Sequence, residues 1–189
     1  MSIYMLGGVK TSDIGLIVTR ESQRPILPST RDYTIAIPGR NGIRDFGADV
    51  EGRPFSFECA FIARDHIELQ QRVESLARIL VDSYGRPRTI DLVLDVHKDR
   101  FWKVRYSGSL EMMRNFGVGS FTLPLAAFDE PYSQGPEKVT EVTITSKPHD
   151  LNIQVDGDIR SQPVIVLTNT GTSNISTLKI TNEYTIQEA

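Results

Sequence analysis

Cysteine is nearly absent from this 189-residue chain: Cys59 stands alone. Without a second thiol there is no intramolecular disulfide, and a cysteine-based metal cluster is excluded. So sparing a use of cysteine points to synthesis in a reducing compartment. Histidine is scarce too. His66, His97 and His149 are the three in the chain, and none stands four residues from another. His97 and Asp99 in DVHKD have a two-residue spacing that a metal can use, but a metal site needs three or four convergent ligands. A solvated hairpin turn is the expectation there, and no metal or cofactor is expected. No apolar run approaches the ~20 residues that span a bilayer, so no membrane insertion is expected. The opening MSIYMLGGVKTSD has no basic stretch leading into an apolar one, so no signal peptide is expected. Lysine and arginine total 21 against 24 aspartates and glutamates, and the net charge is −3. The arginines are scattered singly, which speaks against nucleic acid as the main partner.

Catalytic signatures are missing as well. There is no Gly-x-Ser-x-Gly. Asp45-Phe46-Gly47 spells a kinase motif, but the Gly-rich loop, strand lysine and His-Arg-Asp that must accompany it are not there. Cys59 falls on the apolar face of a strand, where a thiol acts as a small hydrophobe. Asp91 and Asp95 alternate onto the polar face of TIDLVLDV and form a glycosidase pair only in principle. Trp102, Phe101 and Tyr106 offer a sugar platform, yet alternation puts Trp102, Val104 and Tyr106 on one face, as in a core. Asn174-Ile175-Ser176 matches a glycosylation sequon, a weak signal in a chain made in a reducing compartment. The chain is not expected to be an enzyme.

What the sequence does hold is strand patterning. GLIVT and YTIAI are β-rich. A loop is expected over 38–53, with Gly39, Gly42 and Gly47 in it. In RPFSFECAFIAR, Phe55, Phe57, Cys59 and Phe61 share one face while Ser56, Glu58 and Ala60 share the other, the mark of a half-buried strand. Residues 65–82 read as the one helix. Asp65 is its N-cap, and Leu69, Val73, Leu76, Ala77 and Leu80 make an apolar stripe. Glu68–Arg72 and Glu74–Arg78 are i,i+4 pairs on the wet side. Ile90, Leu92, Leu94 and Val96 form the apolar face of the next strand. HKDR then turns the chain into FWKVRYSG, and FGVG turns SLEMMRN into SFTLPLAAF. DEPYSQGPEK (129–138) reads as a linker. Beyond it KVTEVTITS, LNIQV, PVIVLTNT, STLKITNEYTI and the closing YTIQEA read as strands of a β-sandwich. About fifty residues are few for a closed one, so a small domain or a truncated piece is expected, truncation being favoured. The fold class is therefore α+β, mostly β: a β-sheet or sandwich with one packed helix over 1–133, a linker at 134–138, and a partial sandwich over 139–189.

The order of these features resembles the N-terminal domain of the distal tail proteins (Dit) of siphovirus-type bacteriophages. The carrying residues are the Ile-Pro-Gly-Arg-Asn-Gly loop at 37–42, the aromatic strand and helix after it, the Asp99–Val104 stretch DRFWKV, and the ending Phe128-Asp129-Glu130-Pro131-Tyr132. Residues 139–189 are similar to the start of that family's galectin-like second domain. The resemblance covers about residues 1–133 and implies a structural role in the virion, at the tail tip, after synthesis in the host bacterial cytoplasm. It implies a hexameric ring of the chain as a hub, with a tail tube protein on one face and a tail-associated tip protein on the other. A receptor-binding or baseplate protein would sit on the outside, and DNA would pass through without specific binding. Physical reading gives the 38–53 stretch a matching role. Pro38 stiffens its entry, and Gly39 and Gly42 permit turns closed to other residues. Arg40, Arg44 and Arg53 present forked donors, Ile43 and Phe46 offer anchors, and Asn41 sits among them. An arm that packs on the adjacent subunit or the tube protein is the expectation; an ordinary surface loop is the alternative. A carbohydrate-binding module and a tail-tube subunit remain as other readings of the whole chain.

Overall fold

Alternation builds the first layer. The computed structural model describes residues 2–19, 25–146, 148–155, 157–159 and 162–183. They divide into a unit ending at Thr140 and a unit beginning at Glu141. In the first unit the strands are β1 (Ile3–Leu6), β2 (Val9–Lys10), β3 (Leu16–Val18), β4 (Thr30–Ala36), β5 (Ile43–Val50) and β6 (Arg53–Ile62). Helix α1 (His66–Leu80) follows, then β7 (Ile90–Leu94), β8 (His97–Tyr106), β9 (Met112–Asn115) and β10 (Val118–Ala127). The main sheet runs β2-β1-β7-β8-β10-β6-β3, with β9 also on β10. β10 pairs with β6 along its whole length, Cys59 facing Phe121 and Phe57 facing Leu123. It meets β8 only at Leu125↔Tyr106 and Ala126↔Arg105. That short seam lets the sheet curl over its own apolar face.

The core forms inside the curl. Phe55, Phe57, Cys59 and Phe61 of β6 are buried with Leu92, Leu94, Trp102, Val104, Phe121, Leu123 and Leu125. Burial pushes the Cys59 thiol up to about 12, so it stays protonated and packs as an apolar group. The mostly-β architecture with one packed helix is the expected one.

Helix α1 closes the core through Leu69, Leu76 and Leu80. The Asp65 carboxylate accepts from the backbone N–H of Ile67 at 2.9 Å and of Glu68 at 2.8 Å, which satisfies two otherwise unpaired donors. The helix is shorter than the expected 65–82, because Val81 turns extended and pairs with Pro87. Ala77, assigned to the apolar stripe, is exposed, and Ile79 packs on the core instead. Residue 79 lies about 100° around the helix from Leu80 and residue 77 about 60° the other way, so the two flank the stripe on opposite sides. The longer side chain is the one that reaches the core.

Glu68 ties the start of the helix together. It accepts from the Arg64 backbone N–H at 3.0 Å, from Arg72 at 2.8 Å and from the Arg64 side chain at 3.1 Å. These donors, the Arg64 N–H first, hold its carboxyl down at about 2, against an ordinary 4.5. A carboxylate depressed in the folded state stabilises above its unfolded pKa and loses that contribution as pH falls through the folded one. Glu68→Gln is therefore expected to melt below wild type at neutral pH. The gap should shrink as pH drops from about 4.5 towards about 2. A gap that stays constant across this window in parallel thermal melts would contradict the assignment.

Four other boundaries differ from the sequence expectation. HKDR is not a turn: Leu94 pairs with His97, so Asp95 and Val96 form a two-residue connection and His97 starts β8. Val96 accordingly lies outside the strand and is exposed. Likewise Asn115 pairs with Val118, which leaves only Phe116-Gly117 as the turn and puts Val118 and Gly119 in β10. Gln134, placed in the linker, instead exchanges backbone hydrogen bonds of 3.0 and 2.8 Å with Phe101. In the second unit no strand forms among the described residues, and every described residue from 141 to 183 is exposed. Short β-prone segments need a facing layer before they pair stably. The YTIQEA strand lies outside the described residues from Tyr184 onward.

Candidate assembly surface

The loop expected over 38–53 is mostly strand. β4 and β5 pair with each other as a separate two-stranded sheet. Ile35 faces Arg44 and Ala36 faces Ile43. Every residue from Thr30 to Val50 is exposed. The predicted residues fall on it in order. Pro38, Gly39, Arg40, Asn41 and Gly42 form the tip, with Gly39 and Gly42 at φ of +80° and +87°. Ile43, Arg44 and Phe46 lie on β5. A shift of register between Asp32 and Thr34 leaves Tyr33 opposite Phe46-Gly47, where Gly47 has φ +99° and its N–H bonds the Asp45 carboxylate at 2.9 Å. This is a bulge, and it increases the local twist of the hairpin.

One face of the hairpin is apolar and cationic together. Arg31 lies over the Tyr33 ring and Arg44 over the Phe46 ring, each at 5.9 Å. The Tyr33 hydroxyl donates to Asp49 at 2.8 Å, and that bond raises its pKa. Large apolar side chains stand in solvent on both faces: Phe46 is 63% exposed and Ile35 53% on the face of Arg44, and Ile43, opposite Ala36, is 68% exposed on the other. A two-stranded hairpin is marginal by itself in water, and exposed large apolar side chains grouped on it make it a candidate interaction site. Tyr33, Ile35 and Val50 were not singled out in the sequence; for the first two, the alternation of YTIAI was the available signal.

Arg53 is not on the hairpin. It begins β6, and its guanidinium donates to the carbonyls of Pro25 at 2.9 Å and Ile26 at 3.0 Å. The same group lies over Phe55 at 5.5 Å and Trp102 at 5.7 Å. It anchors the root of the hairpin instead of reaching outward. The Glu51 N–H, which donates to the Ser29 carbonyl at 2.8 Å, closes the root.

The other candidates do not assemble into a reactive centre. Asp91 is paired with Lys103 at 2.7 Å while Asp95 sits in the β7–β8 connection. Trp102 is 5% exposed and belongs to the core, as alternation indicated. Among the described residues no three His, Cys, Asp or Glu side chains converge.

A curled antiparallel sheet with one packed helix and a separate, exposed two-stranded hairpin makes up the first unit. Residues 9–127 match the model of the phage tail protein RIFT-related domain, and the chain belongs to that family. Its fold is similar to the crystal structure of the Dit protein of phage SPP1, described as a paradigm of hub adsorption apparatus in phages infecting Gram-positive bacteria. The TM-score is 0.59 at 17% identity, over 72% of this chain and 53% of that one, so this chain spans about half the length of the SPP1 protein. No curated protein matches the chain.

Proposed function

We propose that this phage tail protein is a distal tail hub subunit whose copies close into a hexameric ring, each holding its neighbour by the β4–β5 hairpin. The observation that carries this reading is the hairpin itself, a two-stranded sheet exposed on every residue from 30 to 50. Head-to-tail contact between identical subunits closes into a ring when the rotation fits, and a projecting arm reaching the next copy is a means of making it. Family membership and the likeness to a Dit fold agree with the reading. In it, one ring face meets the tail tube protein and the other the tail-associated tip protein. DNA passes through the centre. Residues 139–189 open an outer galectin-like domain that carries receptor-binding or baseplate proteins. The finished protein resides at the virion tail tip after assembly in the bacterial cytoplasm.

Replacing Phe46 with the photo-crosslinker benzoylphenylalanine tests the arm. Irradiation is expected to give covalent dimers and higher multiples of the chain. Crosslinks confined within single chains at assembling concentration would place the arm on its own body and sink the proposal.

A further inference from the structure

Helix α1 runs out into a turn that is tightly held yet presents bare side chains. The N–H of Asp82 donates to the Arg86 carbonyl at 2.9 Å, that of Gly85 to the Asp82 carbonyl at 3.1 Å, and that of Arg88 to the Leu80 carbonyl at 2.9 Å. The Asp82 carboxylate accepts from the backbone N–H groups of Tyr84 and Arg86, each at 2.9 Å, so the turn itself engages it. On this frame Tyr84 is 82% exposed, and the Arg86 guanidinium lies over its ring at 5.9 Å. Beside the turn is an open cleft of about 470 Å³ lined by Arg78, Val81, Asp82, Ser83 and Arg88. Arg78 approaches the Glu74 carboxylate no closer than 3.9 Å, with both side chains more than half exposed, and such a pair contributes little. The Arg88 side chain makes no hydrogen bond or ion pair among the described residues.

We propose that the 81–88 turn and its cleft dock an acidic segment of a partner protein. Tyrosine and arginine are the side chains that most often carry interface energy, and a turn already locked loses little freedom when it is covered. Carboxylates spaced along the segment meet the forked donors of Arg88 and Arg78, and an apolar side chain between them covers the Tyr84 ring. Residues 78–88 hold three arginines against one aspartate, a charge of +2 in a chain whose net charge is −3, so the turn draws an acidic surface towards itself. The same arrangement disfavours a nucleic acid. Glu74 and Asp82 stand among the arginines, where they repel a continuous polyanion but leave room for separate carboxylates. None of these residues belongs to the β4–β5 hairpin or its root, so this partner is distinct from the neighbour that the arm would hold.

The test uses the full chain and a fluorescein-labelled peptide, Glu-Leu-Asp-Glu-Leu-Asp, read by anisotropy at fixed ionic strength. Its amide analogue, Gln-Leu-Asn-Gln-Leu-Asn, and a short oligothymidylate are the controls. Saturable binding is expected for the acidic peptide and not for the analogue. Arg88→Gln and Tyr84→Ala are each expected to weaken it about fivefold or more and to leave the thermal midpoint unchanged, since both side chains are exposed. Asp82→Ala separates a built surface from a patch of charge. It makes the cleft more positive, so attraction alone would tighten binding. It also frees the turn, so docking on a preformed surface predicts binding about threefold or more weaker. No saturable binding, equal binding of the amide analogue, tighter binding of oligothymidylate, full binding by Arg88→Gln or Tyr84→Ala, or unchanged or tighter binding by Asp82→Ala would each overturn the proposal. So would dispersal of the chain's own assembly by the peptide, which would give the surface to a second copy.

Discussion

Excising residues 30–50 and joining Ser29 to Glu51 through a short glycine–serine linker is expected to leave a folded body that no longer assembles. The two ends already touch through the 2.8 Å hydrogen bond from Glu51 to Ser29, so the gap closes without strain. No residue removed is buried, and the excised strands pair only with each other. The thermal midpoint should therefore move by no more than the equivalent of about 1 kcal/mol, and shortening a loop is itself slightly favourable. Assembly should respond quite differently. Exposed anchors of the Tyr33, Ile35, Ile43 and Phe46 kind become hot spots when covered, each worth about 2 kcal/mol or more. Losing two of them weakens association roughly a thousandfold. Calorimetry paired with light scattering on the excised chain checks both halves. Intact assembly after excision would remove the arm from the account.

The second large effect is expected from Gly117→Ala. Gly117 ends the tight turn before β10, and its carbonyl accepts from Ala63 N–H at 2.7 Å. A Cβ built there would lie 2.2 Å from the Ala63 carbonyl oxygen and 3.0 Å from its carbon. Both obstacles are backbone, in the segment that leads directly into the Asp65 cap, so no side-chain rotation relieves the clash. The hairpin must move away and lose that hydrogen bond. A cost of about 2–4 kcal/mol follows, on the order of 10 °C in midpoint for a domain of this size. Gly135→Ala, with open space around it and ordinary φ, should change nothing. Equal midpoints for the two variants, measured side by side, would show that the contact between the turn and the Ala63 segment is not rigid.

The body of the fold was legible because its signals are periodic and mutually reinforcing. Phe55, Phe57, Cys59 and Phe61 alternate, and they are all buried. Leu69, Leu76 and Leu80 repeat at helical spacing behind an aspartate cap, and they are buried too. Tight connections were harder. The two-residue turns at Asp95-Val96 and Phe116-Gly117 carry no Asn-Gly or Asp-Gly signature, so the polar HKDR and the glycine-flanked FGVG drew the turns to the wrong residues. Phe116 adopts a φ of +52° without being glycine, which composition does not announce.

The candidate assembly surface was half legible. Four glycines, a proline and scattered arginines mark 38–53 as unusual, and Ile43 and Phe46 in it are exposed. That this stretch is the second strand of a hairpin was hidden, since IRDFGADV has neither a clean alternation nor a buried face. Arg53 shows the converse limit. Its residue type suited an interface, but its environment of two carbonyls and two aromatic rings is a tertiary property that no local pattern encodes. A cleft at the hairpin root likewise gathers Ile26, Arg53, His97, Arg100, Trp102 and Ser133 from four separate stretches of chain.

The most direct measurement is the mass of the intact chain by light scattering after size exclusion, with negative-stain images of the same peak. A sixfold mass and rings with a central hole are the predicted result. A single-chain mass that persists to high concentration, with no ring in the images, would contradict a self-assembling hub.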